Sequence, residues 1–390
     1  MTRVRTLVVV LAGRAGGPLD LLTRDRAKPA VPFAGTHRLI DFPLSNCHNA
    51  GLRDVWVVQQ FNPVSLSDHL ANGRPWDLDR TDGGLLILHP RQGHDGRGGF
   101  PSGTADALWR AAPMIREFAP EALVVLSADA VYALDYGALV EQHVEAGAPA
   151  TMVTTTVDPD DAGRYGVVQV DGGRVRDYAY KPDDPAGDLV CNEVFVFDPG
   201  RVLDLLDERG DDNAEEDLGD TLLPALVDAG DVREHRFDGF WRDVGTIDAY
   251  WSTHMELLAE PPPIDLDDPG WPIVTRAIGR RASARVLPGA EIAGGMLAPG
   301  STVGGRVERS VIGRGARVEA GATVTDSVVL PGAVVRSGAR VERAILDDRV
   351  DVGEGARVGA RDGDIALVGL AERIAAGAEV PAGGRVPRAD

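Results

Sequence analysis

Two aspartates, two lysines and a run of glycines are the residues of this 390-residue chain best suited to chemistry. Asp129 follows the apolar stretch Ala122–Leu126, so a strand ending there would aim its carboxylate into a crevice. Asp243 lies in the tight segment Trp241-Arg242-Asp243-Val244-Gly245-Thr246, which could bring a second carboxylate alongside. A few carboxylates completed by phosphate oxygens and water suit Mg²⁺. Either aspartate alone is equally at home as a turn or cap residue. Lys28 and Lys181 are the only lysines among 40 Lys and Arg. Lysine is a compact point charge on a flexible stem and arginine a planar fork, so two survivors in an Arg-rich chain stand out. Leu7–Leu11 runs into a loop with Gly13, Gly16 and Gly17. Glycines let backbone N–H groups approach phosphate closely. The spacing fits neither GxGxxG nor GxxxxGK[ST], and many α/β turns look similar.

The elements that must position these residues read as α/β over residues 1–255. Leu7–Leu11, Val55–Gln59, Ala122–Leu126 and Ala150–Thr156 are buried-strand candidates. Ala105–Glu117 and Tyr136–Glu145 are helix candidates between or after them. Such alternation predicts a mostly parallel sheet with ligands at the carboxyl ends of its strands. A helix over Trp251–Leu258 precedes Pro261-Pro262-Pro263, in a Pro- and Asp-rich stretch that reads as a linker or a wrapped connection.

The last hundred residues change period. Apolar residues fall six apart at Ile312, Val318 and Val324, at Val329, Val335 and Val341, and at Leu346, Val352 and Val358. The three triplets are offset by 17 residues. Six-residue spacing grouped in threes predicts a β-helix with three short faces per coil, the alternative being the alternation of a Val-rich sandwich. Such domains are commonly used for assembly, so an oligomer is expected. Arg314, Arg317, Arg336, Arg340 and Arg343 read as the solvated face of the coil, with an anion site as the other reading.

Bulk properties narrow the function classes. The net charge of −20 argues against binding a nucleic-acid backbone, although nucleotides can still be held by local loops and metals. Apolar runs are too short to span a bilayer, and the start shows no signal-peptide cleavage pattern. Two cysteines, Cys47 and Cys191, imply neither a disulfide nor a zinc framework. A cytoplasmic location is expected.

One segment and five motifs after it carry a resemblance. After the loop comes Arg24–Leu52, RDRAKPAVPFAGTHRLIDFPLSNCHNAGL. Then follow Gly103-Thr104-Ala105-Asp106-Ala107, Ser127-Ala128-Asp129-Ala130, Tyr165-Gly166-Val167, Tyr180-Lys181-Pro182 and the Trp241–Thr246 segment. In this order they resemble the bacterial ADP-glucose pyrophosphorylases, the glucose-1-phosphate adenylyltransferases, over nearly the whole chain. The resemblance implies a nucleotidyltransferase-type Rossmann-like domain with a mixed or parallel sheet at 1–258, a linker at 259–277 and a left-handed parallel β-helix at 278–390. It implies a nucleoside triphosphate and a sugar 1-phosphate as substrates and Mg²⁺ held by Asp129 and Asp243. Arg26 and Lys28 would neutralise the triphosphate and Lys181 the sugar phosphate. Leu11, Ala12, Gly13, Arg14, Gly16, Gly103 and Thr104 would bind the nucleotide. Gly166, Lys181, Asn192 and Glu193 would bind the sugar phosphate. A homotetramer or dimer is the implied assembly.

Departures fall within the working parts. The family loop GGxGTRL is here Gly13, Arg14, Ala15, Gly16, Gly17, Pro18 and Leu19, so Pro18 stands where the family has its catalytic Arg. Pro18 also lacks an N–H donor. Tyr180 replaces the Glu of EKP, Ala130 the His of GDH, and Glu193 a Gly of SMGIYVF. Three readings follow: a transferase with a shifted acceptor such as a modified sugar or cyclitol phosphate, a catalytically impaired regulatory subunit or sensor, and an ordinary glucose-1-phosphate adenylyltransferase of glycogen synthesis.

Overall fold

The computed structural model describes residues 4–13, 17–90, 99–210, 217–277 and 282–387. Its first part is built on a nine-stranded sheet. The strands are β1 (Thr6–Leu11), β2 (Asp54–Val58), β3 (Gly84–Leu88), β4 (Ala122–Ser127), β5 (Ala150–Thr156), β6 (Gly166–Asp171), β7 (Arg174–Tyr180), β8 (Leu189–Phe197) and β9 (Arg233–Arg236). Their spatial order is β3-β2-β1-β4-β8-β5-β9-β7-β6. β3, β2, β1 and β4 run parallel. β8 is antiparallel to β4, β5 and β6, so the sheet is mixed rather than mostly parallel.

β1 shows why a continuous apolar run forms a central strand. Leu7 and Val9 enter one core with Leu108 and Ile115 of the helix Thr104–Phe118. Val8 and Val10 enter the opposite core with Leu44 and Leu139. Both faces are therefore covered, and strict alternation of polar residues would be unstable there. The helix Tyr136–Ala146 starts where Asp135 accepts from the N–H groups of Gly137 (2.8 Å) and Ala138 (3.1 Å). The helix expected over Trp251–Leu258 runs instead from Ile247 to Glu256. Thr246 caps it earlier by accepting from Ala249 N–H at 3.1 Å.

Residues 259–277 wrap rather than dangle. Trp271 Nε1 donates to Asn46 Oδ1 (2.9 Å), and the Val274 carbonyl accepts from Trp76 Nε1 (3.2 Å) and Ser45 Oγ (3.2 Å). Beyond them the chain forms a parallel β-helix, and its pairing register is the 17-residue offset itself. Ile312 pairs Val329, which pairs Leu346. Val318, Val335 and Val352 align on a second face, and Val324, Val341 and Val358 on a third. All nine side chains are buried in one core. The last complete coil is longer: Leu346, Val352 and Val358 pair Val368, Ile374 and Val380, with the extra residues looped out.

One face of the β-helix docks on the sheet domain. Val311, Val328, Ile345 and Leu367, one per coil, pack in a cluster with Leu19, Phe33 and Tyr250. Around it, Trp251 Nε1 donates to the Asp326 carbonyl (2.7 Å), and Arg385 pairs with Asp20 (2.6 Å). Among the described residues no helix is long and apolar enough to cross a membrane.

Candidate active site

The crevice opens where the parallel strands end. Leu11 of β1 pairs with Ser127 of β4, so Ala12-Gly13 and Asp129 leave the sheet side by side. Asp243 arrives by a separate route. Its strand Trp241–Asp243 pairs antiparallel with Ala130–Tyr132, and the register sets Asp243 opposite Ala130. Val244 N–H donates to the Asp129 carbonyl at 3.2 Å, which ties the two loops together. The carboxylates predicted from sequence are thus brought together by a two-stranded ribbon.

Between them lies Lys28, on a short turn with Pro29 and Ala30. Its Nζ is 2.5 Å from Asp129 Oδ2 and 3.8 Å from Asp243 Oδ1. Burial alone would lower the Lys28 pKa, but Asp129 and then Asp243 raise it above the ordinary lysine value. Ser127 Oγ donates to the other Asp129 oxygen. Burial, and then the adjacent Asp129 charge, raise the Asp243 pKa, against Lys28, Arg164 and Lys181. Two mutually repelling carboxylates at the mouth of a cleft form a donor set that gains from a divalent cation.

Two connected cavities flank this centre. The first, of about 980 Å³, is lined by Ala12, Gly13, Gln60, Gly103, Thr104 and Tyr178 among others. Gly103 precedes the first residue of the helix Thr104–Phe118, whose N-terminus therefore faces the cavity, with the Thr104 N–H donating to Asp217 Oδ1 at 3.3 Å. Thr104 Oγ1 donates to Asp217 (3.1 Å) and accepts from Leu218 N–H (2.8 Å). Tyr180 Oη donates to the other Asp217 oxygen at 3.2 Å. Gly166 is required by packing, because a Cβ there would lie 2.5 Å from the Tyr178 hydroxyl.

The second cavity, about 1150 Å³, is lined by Pro18, Arg164, Lys181, Asn192, Asp243 and Thr246, and shares Lys28, Asp129 and Glu193 with the first. Asn192 is 2% exposed, and both ends of its amide lack a hydrogen-bond partner among the described residues. Glu193 has φ of +60° at a register shift between Cys191 and Phe195 in the β8–β5 pairing. Lys181 also has positive φ, 45°. Two non-glycine residues in left-handed backbone within one cleft mark a place where conformation is held by its surroundings.

Most sequence-predicted positions meet at these cavities: Leu11, Ala12, Gly13, Lys28, Gly103, Thr104, Asp129, Gly166, Lys181, Asn192, Glu193 and Asp243. Arg14 and Gly16 lie outside the described residues. Arg26 does not join them. Its guanidinium is buried against the β-helix, 2.7 Å from Asp347 and 3.8 Å from Asp348. The expectation that it faces a triphosphate is corrected by that pairing. Among the cavity residues that escaped the sequence reading are Asp217, Gln60, Tyr178 and Arg164. Arg164 had a signal, since it directly precedes the Tyr165-Gly166-Val167 motif.

With this geometry in place, comparison assigns the class. Residues 7–260 match the nucleotidyl transferase family model, and residues 287–365 match the GlmU-like C-terminal hexapeptide model. The glucose-1-phosphate adenylyltransferase of Thermomicrobium roseum is 42% identical over 299 residues, covering 76% of this chain and 69% of that protein. That of Thermotoga neapolitana is 39% identical over 324 residues (82% and 76%), and that of Fusobacterium nucleatum 35% over 329 (84% and 85%). A nucleotidyltransferase domain joined to a hexapeptide β-helix defines the class. Within it, the chain belongs to the glucose-1-phosphate adenylyltransferase, or ADP-glucose pyrophosphorylase, family.

Proposed function

We propose that the protein joins a nucleoside triphosphate to a sugar or cyclitol 1-phosphate other than glucose 1-phosphate, releasing pyrophosphate. The observation that carries the shifted acceptor is the Asn192-Glu193 bulge. A charged side chain on left-handed backbone lines both cavities, the first of which also holds Tyr180 and its hydrogen bond to Asp217. A pocket that pairs buried polar groups with one acceptor rejects another that leaves them unpaired.

Asp129 and Asp243 are the residues that would hold Mg²⁺, which would neutralise the phosphates in contact with it. Lys28, already charged between these carboxylates, offsets the triphosphate, and Lys181 the acceptor phosphate. Gly13 and Gly103, the residue before the helix, supply backbone N–H groups to the nucleotide, with Thr104 lining the same cavity. Such preorganised charge lets one anion approach another. The exposed first coil of the β-helix, with Val286 at 54% and Ile292 at 39% exposure, supports assembly into a homo-oligomer.

The test is pyrophosphate release with ATP, GTP, CTP and UTP against a panel of sugar and cyclitol 1-phosphates. Turnover of a non-glucose acceptor, abolished in Asp129→Asn, is expected. Efficient turnover of ATP with glucose 1-phosphate in preference to every other pair would reject the shifted acceptor. Pro18 favours a second reading, an impaired regulatory homologue, because it lines the cleft without charge or N–H. Activity only after Pro18→Arg with Gly17→Thr would select that reading.

A further inference from the structure

Pro18 removes a cation from the cleft, but the cleft holds a guanidinium from elsewhere. Arg164 closes the short helical turn Pro159–Arg164, immediately before β6. It lines the same cavity as Pro18, Lys28, Lys181 and the two aspartates. Its Nη2 is 3.6 Å from Asp243 Oδ2, while Lys28 faces Asp243 Oδ1 at 3.8 Å. Asp243 is therefore flanked by one cation on each oxygen. The other Arg164 nitrogen, Nη1, rests on Asp161 at 3.1 Å, and the guanidinium lies over the Tyr165 ring at 5.6 Å. These contacts hold the fork at the cavity wall with its side chain 39% exposed, accessible to an anion.

We propose that Arg164 is the catalytic guanidinium of this site, contacting the acceptor phosphate and the α-phosphoryl group it attacks. This inference rests on the nucleotidyl-transfer reading above. In the step, an acceptor phosphate oxygen forms a bond to the α-phosphorus and the α–β P–O bond breaks. The electron pair of that bond leaves on pyrophosphate. The dianionic acceptor has no proton to lose, so Arg164 acts through charge and hydrogen bonds, with no proton transfer. A planar fork suits two phosphate oxygens at once, which a lysine in its place would not.

A purely structural role is the competing explanation, since Arg164 pairs with Asp161 three residues earlier in the same turn. The unaltered chain, Arg164→Ala and Arg164→Lys are compared using the most active nucleotide and acceptor pair of the panel, with glucose 1-phosphate and ATP always included. The expected result is a fall of about 10²–10³-fold in kcat for Arg164→Ala, with KM for the nucleotide nearly unchanged. Millimolar guanidinium should restore part of it, Arg164→Lys should remain well below the unaltered chain, and the melting temperature should not move. Unchanged kcat, or a loss matched by a lower melting temperature with no guanidinium rescue, overturns the proposal. An unaltered chain that turns over nothing until Pro18→Arg is introduced overturns it as well, because Arg164 would then not compensate. Preference for glucose 1-phosphate would reject the shifted acceptor alone, and the Arg164→Ala result would still decide this inference.

Discussion

At the scale of single residues, the cleft is a set of charges that neutralise one another until substrates arrive. Ser127, Asp129, Lys28, Asp243, Arg164 and Asp161 form one chain of alternating donors and acceptors. Asp129 was legible from its place after a strand, Asp243 from its tight segment, and Lys28 from the rarity of lysine in the chain. Arg164 carried only its place before Tyr165-Gly166-Val167 as a signal, and its pairing with Asp243 was hidden because that partner comes from a ribbon strand far along the chain. Glu193 gives the residue-scale prediction. Left-handed backbone costs a non-glycine residue of order 1–3 kcal/mol, so Glu193→Gly should stabilise the fold by about 1 kcal/mol. It should also move acceptor preference towards glucose 1-phosphate. Thermal denaturation and the acceptor panel check the two halves, and a destabilised variant with unaltered preference would make Glu193 an ordinary bulge residue.

At the scale of elements, the clearest lesson lies in the segment that carries Lys28. Two residues earlier Arg26 serves the domain interface, 321 positions from its partner Asp347. No local pattern links the two, so sequence adjacency to Lys28 assigned Arg26 to the wrong surface. The β-helix was legible for the opposite reason: its contacts repeat at a fixed interval, and each apolar position predicts the next. The interface is expected to respond to pH. Burial pushes the Asp347 carboxyl up to about 6, against the pull of Arg26 and with help from Asp348. An acid that binds its proton more tightly folded than unfolded, where the ordinary value is 3.8, makes stability fall as pH rises between those values. Asp347→Asn should therefore cost little at pH 8 and flatten that slope. Arg26→Ala leaves the buried Asp347 carboxylate without its cation, while half-buried Asp348 keeps Arg38 and Arg349 nearby, a change expected to cost about 3–5 kcal/mol. The penalty should shrink at pH 5, where the Asp347 carboxyl takes up a proton. Urea midpoints at pH 5 and pH 8 measure this, and a larger Arg26→Ala penalty at the lower pH would contradict it.

At the scale of the whole molecule, the two parts meet through one row per coil: Val311, Val328, Ile345 and Leu367. The register of the β-helix therefore controls docking. Excising residues 327–343 removes one 17-residue coil and should leave a foldable, shorter β-helix, because each coil contacts only its neighbours. It would carry Asp347 one rung away from Arg26 and bring Gly369 to that height, since Leu346 pairs Val368 in the intact chain. The expected calorimetric outcome is two separated unfolding transitions in place of one. One transition at the original temperature would show that docking does not depend on register. The β-helix thus behaves as a ladder whose rungs are spaced by the strand separation, about 4.8 Å. Docking on such a ladder is quantised: the chain can gain or lose whole rungs, but only one rung puts an acid within reach of Arg26.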